Sequence, residues 1–60
     1  MDYFYIYKDG VVVAEGRDRN SVMAYARATF PDDHLVGEGH RKDSSTYGFF
    51  VSNAPIALGT

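Results

Sequence analysis

Apolar and polar positions alternate with a period of two along the first part of the chain. Tyr3-Phe4-Tyr5-Ile6-Tyr7 is aromatic and β-branched, which predicts a strand over about 3–7. Lys8-Asp9-Gly10 follows as a hairpin signal, and Val11-Val12-Val13-Ala14-Glu15 predicts the return strand over about 11–15. Two registers are open. A two-residue Asp9-Gly10 turn sets Ile6 opposite Val13 and Phe4 opposite Glu15. A three-residue loop sets Ile6 opposite Val12 and Phe4 opposite Ala14, which makes one face wholly apolar. The second is preferred, because register follows the face that must be buried.

The period then changes. Asp18 or Asn20 can cap a helix over about 19–30, which Pro31 stops. At 100° per residue Val22, Met23, Ala26, Thr29 and Phe30 share one side, and Ala24, Arg27 and Ala28 share the other. Asp32-Asp33 forms a turn. A third strand over about 34–41 contains Gly37 and Gly39, which point to a bulge or a close strand crossing. Lys42 to Ser45 forms a second hairpin loop. The fourth strand covers about 46–52, and the tail 53–60 docks or frays. The order ββαββ predicts an α+β fold, a four-stranded antiparallel sheet with one helix packed on one face. The expected core is Phe4, Ile6, Val12, Ala14, Val22, Met23, Ala26 and Phe30, completed by Leu35 and by Phe49 or Phe50.

The chain has 60 residues, enough for one small domain over 1–60. It has no Cys, which excludes a disulfide framework and a thiolate zinc site. A net charge of -2 is not the footprint of a duplex DNA binder, nor of a DNA mimic. No apolar stretch reaches the roughly 18–20 residues of a membrane span. Met1-Asp2-Tyr3 lacks the basic and apolar regions of a signal peptide, so a cytoplasmic protein is expected.

Tyr3, Tyr5 and Tyr7 alternate with Phe4 and Ile6 and so project from one face. If Phe4 and Ile6 meet the helix, the tyrosines lie on the face that one helix leaves bare, together with Val11 and Val13. A tyrosine surface suits a protein partner or a second copy, and bases can also stack on it. Ala24, Arg27 and Ala28 offer a second, helical contact surface. His34, Glu38 and His40 share residue types with zinc sites. On a strand, however, His34 and His40 stand about 20 Å apart, so no metal is expected. Gly37-Glu38-Gly39-His40-Arg41-Lys42 lacks the ending of a phosphate loop, and no nucleophile elbow surrounds Ser44, Ser45 or Ser52. Neither catalysis nor a cofactor is expected. The expectation is a non-catalytic protein-binding module, a dimer or higher oligomer. A single-stranded nucleic-acid binder and a homo-oligomeric structural protein are the alternatives.

The hairpin, Ala14-Glu15-Gly16, a short helix with Val22, Ala26 and Phe30-Pro31, and a returning strand around Val36 form a pattern over roughly 11–38. It resembles small phage-encoded host-takeover proteins of the T7-like host RNA polymerase inhibitor type. That resemblance implies a compact sheet on one helix and a short inhibitor of a larger host protein, acting in the host cytoplasm. The family's acidic helix face is replaced here by Ala24, Arg27 and Ala28, so no functional residue carries over.

Overall fold

The computed structural model describes residues 2–52. Its elements are β1 (Tyr3–Lys8), β2 (Val11–Gly16), α1 (Arg19–Thr29), β3 (Val36–His40) and β4 (Thr46–Phe50). The strands form one antiparallel sheet in the order β2-β1-β3-β4, and α1 packs across β1 and β2. The fold is therefore the expected ββαββ α+β arrangement. The third strand begins at Val36 rather than His34, and the fourth ends at Phe50. The expected tail 53–60 lies outside the described residues.

Local chemistry sets the turns. Asp9 and Gly10 both take positive φ, 52° and 80°, the pair of values that closes a two-residue turn matching strand twist. Lys8 therefore pairs with Val11. The register then shifts, and Ile6 pairs with Ala14 and Phe4 with Gly16. Neither expected register is correct. An extra residue in β2, a β-bulge, lets the turn be tight and still brings small residues opposite Phe4 and Ile6. The consequence is an exchange of valines. Val12, expected in the core, pairs with Tyr7 and is 39% exposed. Val13, expected on the bare face, packs against the core instead.

Helix α1 starts at Asp18, whose backbone is extended and whose carbonyl accepts the Val22 N–H at 3.0 Å. The Asp18 carboxylate takes the Ser21 hydroxyl at 2.6 Å rather than a backbone donor. The Phe30 N–H closes on Ala26 at 2.8 Å, and Pro31 prevents continuation. Ile6, Val22, Ala26, Leu35 and Val51 form the buried cluster, with Phe4 also buried. Met23, Phe30 and Phe49 pack around it half-buried, while Phe50 faces out. Thr29, expected on the core side, is exposed.

Gly37 and Gly39 do not break or bulge β3. They are buried at its centre, opposite Phe49 and Tyr47. A Cβ on Gly37 would meet the Phe49 ring within 2.6 Å at Cδ2 and Cζ, and one on Gly39 would lie 2.5 Å from Tyr47 Cζ. The two rings thus lie over bare backbone and cover the part of the sheet that α1 does not reach. Phe49 meets Phe4 edge-on at 6.0 Å between centroids, an arrangement aromatic quadrupoles favour.

Candidate binding face

The opposite face of the sheet is uncovered among the described residues. Strand alternation sends Tyr3, Tyr5 and Tyr7 to it, and the register shows what stands beside them. Val12 pairs with Tyr7, Tyr7 with Val36, and Val36 with Phe50. These four side chains make an apolar row that crosses every strand at one end of the face. Val36 is 50% exposed and Phe50 62% exposed. The next row is Glu15, Tyr5, Glu38 and Gly48, and the far row holds Tyr3, His40 and Thr46.

The middle of the face is held by side-chain hydrogen bonds. Tyr7 donates its hydroxyl to Glu38 Oε1 at 2.9 Å, and His40 Nε2 lies 3.1 Å from the same oxygen. Tyr3 donates to Glu15 Oε1 at 3.0 Å. The Tyr5 ring meets Tyr3 at 5.1 Å and His40 at 5.0 Å, both edge-on. These bonds explain the acid–base shifts. Glu38 is held below the usual carboxylate range by His40 and then by Tyr7. The Tyr7 phenol is raised by its bond to Glu38, and the Tyr3 phenol by its bond to Glu15, because ionising a donor beside a carboxylate is unfavourable. The network fixes the orientation of rings that would otherwise lose rotamer freedom on binding.

The expected contact residues therefore separate. Tyr3, Tyr5 and Tyr7 share the open face as anticipated. Val11 does not join them: it pairs with Lys8 at the hairpin tip, on the alternate parity. Val13 does not either, because the bulge packs it against the core. Ala24 and Ala28 are exposed on the helix, across the sheet from the tyrosines. Arg27 is half-buried, and its Nε donates to the Val51 carbonyl at 2.6 Å. It anchors the chain after β4 rather than presenting a free cation. Val12, Val36, Glu38, His40 and Phe50 complete the face. Only the cross-strand register could have located most of them, although Glu38 and His40 share Val36's side by simple alternation.

Other sites are weaker. His34 precedes β3 and stands apart from Glu38 and His40. Among the described residues, no group of three or more His, Cys, Asp or Glu is placed to hold a metal ion. A cleft of about 770 Å³ runs between β2 and α1, lined by Val13, Ala14, Val22 and Tyr25 among others. Around the second hairpin, Asp43 accepts from the Ser45 hydroxyl and N–H, which lowers its carboxyl and shapes the turn. No helix among the described residues is long and apolar enough to cross a membrane. No family model, curated protein or solved structure matches the chain.

Proposed function

We propose that this protein is a small non-catalytic binding module whose working surface is the open sheet face and whose partner is another protein. The observation that carries this reading is the apolar row Val12, Tyr7, Val36 and Phe50, continuous across the sheet and flanked by the oriented rings of Tyr5 and Tyr3. Solvent-facing aromatics beside half-exposed aliphatics are the composition of an interface centre. Glu15 and Glu38 stand on the same face. They disfavour a nucleic-acid backbone, whose phosphates they would repel, and so weigh for protein over single-stranded nucleic acid. The Glu38 and His40 pair lies on the open sheet face, uncovered among the described residues, which suits recognition rather than proton transfer. The resemblance noted above adds an inhibitory role in the cytoplasm of a host cell as the more specific form of this reading.

The test is site-directed photocrosslinking in host lysate. A photoreactive phenylalanine analogue replaces Tyr5 in one variant and Ala24 in another. The reading expects protein adducts from position 5 that survive nuclease and high salt, and weaker or different adducts from position 24. Adducts from the helix position alone, or adducts at position 5 that nuclease removes, would overturn it.

A further inference from the structure

The two edges of the sheet are unequal. β2, one edge, carries the bulge at Val13 and a charge at Glu15, devices that discourage pairing with another chain. β4, the other edge, reads Thr46-Tyr47-Gly48-Phe49-Phe50. It has no charge, no proline and no bulge, since its register with β3 runs unbroken from Val36 opposite Phe50 to His40 opposite Thr46. Among the described residues, no strand pairs with its outer side.

The hairpin before β4 fixes which backbone groups face outward. The Arg41 N–H donates to the Ser45 carbonyl at 2.9 Å, so Arg41 and Ser45 form a hydrogen-bonded pair. Antiparallel pairs alternate in type. Gly39 with Tyr47 and Gly37 with Phe49 are then hydrogen-bonded pairs too, and Tyr47 and Phe49 spend their backbone groups on β3. The N–H and C=O of Thr46, Gly48 and Phe50 therefore point away from the sheet.

We infer that β4 is a self-association edge, on which two copies pair antiparallel about a twofold axis at Gly48. This register sets Gly48 opposite its own copy and Thr46 opposite Phe50 of the second chain. Every outward N–H and C=O of those residues then gains a partner. The register also sets Tyr47 against Phe49 of the second copy in the closer, non-hydrogen-bonded type of pair, with Cα atoms about 4.5 Å apart. Aromatic pairs across strands are favourable. Moving the axis to Tyr47 or Phe49 would pair only two of the three outward residues and leave Phe50 or Thr46 without a cross-strand partner within β4, so the pattern of free groups favours the Gly48 axis. Edge pairing of this kind keeps both open faces on the same side. The apolar row that ends at Phe50 would continue onto Thr46 and His40 of the second copy, so one dimer presents two binding faces as one surface. The inference concerns the edge and stands independently of what the open face binds.

The test is sedimentation of the whole chain from micromolar to millimolar concentration. The expected parent behaviour is a concentration-dependent rise from 6.7 kDa toward twice that mass. N-methylation of the Gly48 amide in a synthetic chain removes one outward donor and crowds the edge without touching either face. It should raise the half-association concentration about tenfold or more. The register has its own check. A Cβ at Gly48 has only the Gly37 carbonyl oxygen near it, at an ordinary 3.7 Å, so side chains fit there in the single copy. Gly48→Lys and Gly48→Glu should each be monomeric and folded by circular dichroism, and their mixture should dimerise. A parent chain monomeric at millimolar concentration, an N-methylated chain that associates like the parent, or a Tyr5→Ala chain that loses association while its edge is intact would each overturn the inference. A dimer that forms as described, with no photocrosslink from position 5, would instead sink the proposed binding face alone.

Discussion

Replacing Gly37 by alanine should destabilise the protein by about 1–3 kcal/mol, although alanine is the better residue in an unfolded-state account. The added methyl would enter the Phe49 ring, within 2.6 Å of Cδ2 and Cζ. The ring is half-buried, packs against the core and meets Phe4 edge-on. Displacing it forfeits an aromatic pair of about 0.5–1.5 kcal/mol. It also forfeits part of the roughly 1.5–3 kcal/mol of a fully buried side chain. The loss of chain entropy in the unfolded state returns only about 0.4–1 kcal/mol. The losses win. Urea denaturation followed by circular dichroism measures the difference. The double variant Gly37→Ala, Phe49→Ala isolates the cause: with the ring gone, alanine at 37 should cost nothing further, so the two changes should be strongly non-additive. A Gly37→Ala protein as stable as the parent would refute the account of rings lying on bare backbone.

Other consequences can be measured on the same variants panel. Leu35→Ala should cost about 2–5 kcal/mol, more than Phe30→Ala, because Leu35 is wholly buried and Phe30 only half so; equal losses in urea melts would count against the assigned core. Arg27→Ala should cost about 1.5–3 kcal/mol by leaving the Val51 carbonyl without its charged donor, and Arg27→Lys should recover little of it. Because His40 and Tyr7 hold the Glu38 carboxyl low, its contribution to stability is present above its ordinary value of 4.5 and lost as pH falls through the lowered one. Glu38→Gln should therefore flatten the acid limb of the pH–stability curve. Tyr7 should ionise above 10.0 in an absorbance titration, and Glu38→Gln should bring it down.

The elements were legible because each obeys one period. Alternation marks β1, the 100° spacing of Val22, Ala26 and Phe30 marks α1, and turn residues punctuate the rest. The hairpin register was not legible, and the reason lies in Val11, Val12 and Val13. Three identical side chains carry no mark of which faces the core, so exchanging one valine for another shows no evident loss, and only Ala14 and Glu15 tell the trial registers apart. Glu15 is the first residue in β2 with a strong preference for water. The bulge satisfies it, setting Glu15 beside Tyr5 and within reach of Tyr3, while Ala14 and Gly16 stand opposite Ile6 and Phe4 respectively. Gly37 and Gly39 misled in a different way. Read along the strand they look like breaks, whereas across the strand they are the floor for Phe49 and Tyr47. That information belongs to the pairing and not to either segment. Arg27 was assigned to the solvent side by its helical angle, but its length carries its Nε to the Val51 carbonyl from a half-buried position.

The same distinction governs the open face. The tyrosine stripe follows from alternation within β1 alone, and so could be read from five consecutive residues. The apolar row does not, because Val12, Tyr7, Val36 and Phe50 come from four strands and meet only through three pairings. One of those pairings depends on the bulge. Without it Val13 would stand where Val12 stands relative to the rest of β2, and the core would lose the valine that packs beside Ala14 and Val22. The bulge thus settles two matters together: it supplies the core with Val13 and the face with Val12. A deletion of one valine from the run tests the coupling directly. It should remove the bulge while leaving a valine beside Tyr7 and Glu15 beside Tyr5, so the row persists and the core loses the packing of Val13, which lowers the melting midpoint. If the shortened protein keeps both its melting midpoint and its crosslinks from position 5, the bulge is incidental, and the row and the core are set independently of each other.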